Sequence, residues 1–213
     1  MSKGLVKTGD WSKTRQTFFA NATRLDKGIR KAMLQEGQFL RKKLVQGIRK
    51  QAPGGRQFKK LAKTTVATRR FRGFRGTKAL IRTGGQGLVG SFTVLQKRDF
   101  VFIGVQRTAR ADDGRLLADI MRLNEFGSKP ITIKITAKMR RFLFAAFSAH
   151  RATRGLQGSG GSGVIVVRIP PRPVFGPVFK RFAKPRVLKK RVMNRLAIIM
   201  RGNIGTPSGK PPT

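Results

Sequence analysis

TRQTFFANATRLDKGIRKAMLQEGQFLRKKLVQGIRK, residues 14–50, is the stretch on which the fold turns. Phe18, Ala22, Leu25, Ile29, Met33, Leu40, Leu44 and Ile48 recur at spacings near a helical repeat of about 3.6 residues, with Arg and Lys between them. The pattern predicts one long helix with a narrow apolar stripe and otherwise basic faces. Proline disfavours helix at the residue before it, so the helix must stop ahead of Pro53, and Gly54-Gly55 reinforces the break.

Residues 55–80 read as a basic connector centred on Arg69-Arg70-Phe71-Arg72-Gly73-Phe74-Arg75-Gly76. Leu88 to Leu95 and Phe100 to Val105 are rich in Phe, Val, Ile and Thr, with Lys97-Arg98-Asp99 between them, and predict a β-hairpin. Leu116 to Phe126 has helical spacing, with Gly127 placed to end the helix. Ile131 to Ile135 alternates like a short strand, and Thr136 is placed to cap a helix carrying Met139, Phe142, Leu143, Ala146 and Phe147. A Gly/Ser-rich loop spans 155–163, and Val164 to Ile169 predicts a strand closed by Pro170-Pro171-Arg172-Pro173. A short helix over Val174 to Phe182 and a basic amphipathic helix over Arg186 to Arg201 complete the pattern. Val187 or Leu188, Val192, Leu196 and Ile199 fall on one side of that last helix, and Lys189, Lys190, Arg191 and Arg195 elsewhere. It could lie on a membrane, but packing on its own core or a neighbouring subunit fits better. The fold class is α+β: a small, mostly antiparallel sheet against a long N-terminal helix and shorter helices, with basic extended arms. One domain covers 1–186, and 187–213 forms a basic helix and tail.

Charge narrows the function. The 213 residues hold 48 Lys+Arg and eight Asp+Glu, a formal net charge of +40. Such a surplus repels itself and calls for a polyanionic or acidic partner. Five of the eight acids lie between 99 and 125, and none follows Glu125. Cysteine is absent, which excludes disulfide scaffolds, thiolate metal sites and cysteine nucleophiles. The apolar run Phe142 to Phe147 is far short of the roughly 20 residues that span a bilayer, and Met1 to Trp11 shows no apolar secretory segment. The expectation is a soluble protein made in the cytoplasm.

No catalytic, cofactor or metal constellation emerges. Gly85-Gln-Gly87-Leu-Val-Gly90 matches a dinucleotide fingerprint in letters only, since that motif needs a strand before it and a helix after it. His150, the single histidine, falls at a helix C-terminus, where a basic side chain suits the dipole. Asp112-Asp113 reads as a solvated loop rather than a site for a hard cation. Arg69, Arg70, Arg72 and Arg75 interleave with Phe and Gly. Arginine contacts phosphates and phenylalanine offers a stacking face, so these four are DNA-binding candidates. The competing reading is a basic loop whose Phe residues dock on the core.

The order of segments carries more than composition does. Gln51-Ala-Pro-Gly-Gly is followed by Leu80-Ile-Arg-Thr-Gly-Gly leading into Leu88-Val-Gly-Ser-Phe-Thr-Val, then Phe102-Ile-Gly-Val. Next come Arg122-Leu-Asn-Glu-Phe-Gly, Thr136-Ala-Lys-Met-Arg-Arg-Phe-Leu and Val166-Val-Arg-Ile-Pro-Pro-Arg-Pro-Val-Phe. This order, over roughly residues 14–183, resembles the bacteriophage virion-morphogenesis family, the tail-completion or neck proteins of long-tailed phages. The chain departs from that pattern where Gly85 to Gly87 lengthens the turn, at Phe92, and in its charge and its tail beyond Arg186.

The resemblance implies a non-enzymatic structural protein of the virion, at the head–tail junction, made in the host cytoplasm. It implies a ring, hexameric in the family, that joins or terminates the tail and touches neighbouring head-connector and tail proteins. Motif and interface candidates are Thr83, Gly84, Glu125, Phe126, Gly127, Pro171, Arg172 and Pro173, with Phe126 expected to serve as a large anchor. The basic surplus then has two partners: acidic neighbouring rings and the double-stranded DNA that passes through. The main alternative is a nucleic-acid-binding protein of a ribonucleoprotein particle, of ribosomal type. A cationic membrane-surface protein is a third reading.

Overall fold

A computed structural model describes residues 10–81, 87–98, 100–149 and 163–202. Thr83, Gly84, Gly85, Asp99, His150, most of the Gly/Ser-rich segment and the tail from 203 lie outside the described residues. The architecture is α+β, with six α-helices and two antiparallel strand pairs among the described residues. Helix α1, Trp11–Arg49, is 39 residues long, about 58 Å at roughly 1.5 Å per residue. Asp10 caps it, accepting from the Lys13 amide at 3.0 Å and the Ser12 hydroxyl at 2.6 Å.

The face that α1 buries differs from the predicted stripe. Leu40, Leu44 and Ile48 are buried as expected, whereas Phe18, Leu25 and Ile29 are exposed. The buried face continues through Gly28, Ala32, Glu36, Gly37 and Gly47. The glycines and Ala32 admit close neighbours. A Cβ on Gly37 would sit 2.7 Å from a Val101 methyl, and one on Gly28 would sit 3.0 Å from a Leu196 methyl. Counting large apolar residues by period misses such a face, because packing here uses side chains that are nearly absent.

The predicted hairpin forms, shifted and shortened. Residues 88–91 make a turn rather than strand, held by the buried Ser91 hydroxyl donating to the Leu88 carbonyl at 2.8 Å. Strand β1 is Phe92–Gln96 and β2 is Val101–Val105, paired antiparallel from Phe92 opposite Val105 to Gln96 opposite Val101. Arg41 seats the hairpin on α1 by donating to the Phe92 carbonyl at 2.6 Å.

The connector 55–80 is not irregular throughout, since Lys63–Phe71 forms helix α2. Helix α3, Leu117–Phe126, ends at Gly127 with φ 80°, the left-handed conformation that glycine adopts without strain. Strand β3, Ile131–Lys134, precedes α4, Ala137–Ser148, which Thr136 caps as predicted, accepting from the Met139 amide. Strand β4, Val164–Val167, pairs with β3 and not with the first hairpin. The expected single sheet is therefore two separate ladders. Helices α5, Phe175–Phe182, and α6, Pro185–Gly202, follow.

Leu44, Ile48, Leu88, Phe92, Leu117, Met121, Val174 and Val178 form the core where α1, the 88–92 turn, α3 and α5 meet. Full burial of one such side chain contributes about 1.5–3 kcal/mol. The Gln51-Ala-Pro-Gly-Gly segment closes this core from below. The Gln51 amide donates to the Ile48 and Ala79 carbonyls and accepts from the Ala79 amide, tying the end of α1 to the approach toward the hairpin. Gly54, at φ 59°, passes so near α5 that a Cβ would lie 2.2 Å from the Pro177 carbonyl oxygen.

Helix α6 packs along α1 and presents two arginines to it. Arg191 and Arg195 were expected away from the apolar side. Both instead approach Glu36, which is 3% exposed, at 2.5 and 3.4 Å. Arg191 also donates to the Phe182 carbonyl, and both guanidinium groups lie over the Phe39 ring. A buried carboxylate needs opposite charge close by, and this chain is rich in cations. No helix among the described residues is long and apolar enough to cross a membrane.

Two outcomes check the two regimes of α1. Leu44→Ala should lower stability by about 2–5 kcal/mol, while Phe18→Ala should stay within about 0.5 kcal/mol, both read by urea denaturation. The Asp10 carboxyl is held below its ordinary value of 3.8 by the Ser12 hydroxyl first and the Lys13 amide second. A lowered folded pKa means the cap is fully effective above 3.8 and fails as pH falls through the folded value. Amide exchange at Lys13 should therefore quicken in that acidic window while amides near Leu44 stay protected.

Candidate functional site

The predicted motif residues from two distant segments meet. Glu125, in the last turn of α3, faces the start of α5. Its Oε2 accepts from the Val174 amide at 2.7 Å and the Phe175 amide at 3.3 Å, and its Oε1 from the Gly176 amide at 3.2 Å. These are amides that a helix start leaves without intrahelical partners, at the positive end of the helix dipole. Glu125 thus caps α5 from 49 residues away.

Gly127 lets the 169–171 segment come close. A Cβ there would meet the Ile169 carbonyl oxygen at 3.0 Å and the Pro171 ring at 3.1 Å. Ser128 and Ile169 exchange two hydrogen bonds, through the Ser128 amide at 3.0 Å and the Ser128 hydroxyl at 2.9 Å. The Arg172 amide donates to the Asn124 carbonyl at 2.6 Å. Pro170, Pro171 and Pro173 donate nothing to a ladder, so the chain leaves the strand here and turns into α5. Thus Glu125, Gly127, Pro171, Arg172 and Pro173 belong to one clamp. Asn124 and Ser128, which the sequence did not single out, complete it. Only position relative to the glutamate could have pointed to them.

Phe126 does not act as an anchor within the chain. It is 77% exposed, on the side of α3 turned away from the core. Other large apolar side chains are exposed on α4 and β4, among them Phe144 at 60% and Val166 at 63%. The clamp therefore displays Phe126 rather than burying it.

The arginine-rich segment divides. Arg69 donates to the Lys78 and Ile81 carbonyls and braces the segment that returns from α2. Phe71 packs edge-on against Phe142 of α4 with centroids 5.4 Å apart, and Arg72 lies over the same ring at 5.1 Å. Phe71 thus docks on α4 rather than on the core, and it remains 47% exposed. Arg70, Arg72 and Arg75 are exposed. Through Phe71 and Phe142, α2 and α4 form one unit, and both come from stretches without a single acid, 37–98 and 126–213. Lys138, Arg140 and Arg141 of α4 are exposed as well.

The Asp112-Asp113 loop is closed by its own neighbours. Asp113 accepts from the Arg115 amide and pairs with its guanidinium at 3.8 Å, and Arg110 donates to the Gly114 carbonyl. Among the described residues, no three His, Asp or Glu side chains converge as a metal site.

Comparison with protein families, curated proteins and solved structures returns no match to this chain.

The clamp predicts a specific loss. Glu125→Gln keeps the shape but removes the charge and one acceptor, so it should destabilise the fold by about 1–3 kcal/mol in urea. Exchange at the Val174 and Gly176 amides should accelerate more than exchange in α1. Equal protection in both proteins would show that the amides do not depend on the carboxylate.

Proposed function

We propose that this chain is a structural protein of a tailed-phage virion, placed at the head–tail junction as a neck or tail-completion ring. Its work is binding, without catalysis. One observation supports the reading above the others. Two of the segments that resemble the family pattern, 122–127 and 166–175, meet in a single clamp that leaves Phe126 exposed at 77%. A clamp with an exposed aromatic beside it suits a contact surface. Rings form when one surface of a subunit meets a different surface of the next and the rotation closes. The exposed apolar side chains on α1, α4 and β4 supply surface of the kind that assembly covers. Partners on this reading are other copies in a hexameric ring, the adjoining head-connector and tail proteins, and the DNA that passes through.

Particles from the native source, separated on a density gradient at high salt after nuclease treatment, test it. The protein should travel with tailed particles at a few copies each, by mass spectrometry. Recovery with ribosomes, or release by nuclease, overturns the reading in favour of the ribonucleoprotein alternative.

The acid-free α2–α4 face favours duplex nucleic acid as one partner. Neutralising phosphates releases counterions, so each contact adds to the salt dependence of binding. Replacing Arg72 and Arg75 with Gln should reduce the slope of log K against log salt by about 2. An unchanged slope removes this segment from DNA contact.

A further inference from the structure

A cavity of about 890 Å³ lies beside the clamp, between the 59–69 stretch, α3 and the 167–172 segment. Arg172 lines it and is 6% exposed. Its Nε donates to the Lys59 carbonyl at 3.2 Å, and its two Nη groups have no hydrogen-bond partner among the described residues. No carboxylate among the described residues pairs with it. Burial pushes the guanidinium below its ordinary pKa, because the charge has lost water and gained no anion. A guanidinium held in this way is matched best by a planar, two-oxygen anion.

The rest of the cavity says which anion. Its walls include Leu61, Leu80, Leu117 and Ile120, which offer apolar contact rather than a phosphate track. Asp112 and Asp113 also line it. Two carboxylates repel a polyanionic backbone, yet tolerate one carboxylate that reaches past them to Arg172. The match is a short peptide segment with one acidic side chain between apolar ones.

We propose that the Arg172 cavity is a socket for a carboxylate-bearing, otherwise apolar segment of a partner protein. Arg172 receives the carboxylate, with Lys59, Lys60 and Arg168 at the same cavity adding positive potential. The socket stands on Arg172 and its surroundings, independently of the virion reading.

A pool of fluorescent pentapeptides tests it, with Glu fixed at the centre and Leu, Val, Phe and Pro varied on either side. A second pool carries Gln at the centre. Binding is measured by anisotropy on the full chain at about 0.3 M salt, where loose attraction to a basic surface is screened. The best Glu peptides should bind about 10- to 100-fold tighter than their Gln counterparts, the range of a charge-assisted hydrogen-bonded pair. Arg172→Met should abolish that difference. Thr65→Phe should block the cavity from its exposed rim and weaken binding without touching the clamp, which keeps the test valid if the Arg172 variant folds poorly. Asp112→Asn with Asp113→Asn should tighten binding. The socket is refuted if no Glu peptide outbinds its Gln partner, or if Thr65→Phe leaves binding unchanged. Displacement of the peptides by a short DNA duplex whose own binding needs Arg172 would make the site a phosphate socket and overturn the proposal too.

Discussion

Eight carboxylates must hold together a chain with 48 cationic side chains, and that imbalance shapes the molecule. Two of them each fasten several groups at once. Glu36, buried on α1, faces two arginines of α6. Glu125 collects three amides at the start of α5. The first fixes the last helix along the longest one. The second joins α3 to the proline-rich turn, and so sets where Arg172 enters the molecule. Charge-assisted hydrogen bonds of this kind are the stronger ones, and burial strengthens them further. Asp26 and Asp113, by contrast, make exposed pairs with Arg30 and Arg115 and add little.

The consequence is a division of surfaces. Around the core, where α1, α3 and α5 converge, Glu36 and Glu125 are consumed internally. On α2, α4 and α6 there are none, and apart from Arg191 and Arg195, which turn in to Glu36, most cations there face outward beside exposed apolar side chains such as Phe144 and Ile198. The first half of α1 buries little of itself and carries Phe18 and Phe19 in the open. A surface that is both cationic and apolar suits assembly better than solitary existence, since the apolar area is poorly hydrated and the like charges repel one another until a partner offsets them. This links the packing to the proposed role without requiring any catalytic group.

Much of the local structure was legible because its causes are local. Pro53 stops α1, Thr136 caps α4 and Gly127 ends α3, each through the conformation or hydrogen bond of that residue itself. The alternation at 131–134 marks a strand for the same reason. Where the reading missed, the cause lay at long range. Nothing in the helical period of α6 says that Arg191 and Arg195 turn inward, because their partner is Glu36, 155 residues away for Arg191. The stripe on α1 was drawn through large residues, while the packed face runs through Gly28, Ala32 and Gly37. Small residues become informative only when a neighbour is known to lie against them. For the site, the resemblance named Glu125, Gly127 and Arg172 one by one; the fold brings them together, with Glu125 and Gly127 holding a turn while Phe126 faces out. The four arginines looked alike in sequence, yet Arg69 binds the Lys78 and Ile81 carbonyls while Arg72 lies over the Phe142 ring.

The central claim is that the outward cationic and apolar faces are covered in an assembly. Lysine footprinting tests it most directly, with acetylation compared between the free chain and the native, nuclease-treated particle. The account predicts protection of Lys63 and Lys138, on the acid-free α2 and α4, in the particle and full reactivity in the free chain. Equal reactivity in both states would contradict it, because the surfaces held to be interfaces would then face solvent throughout.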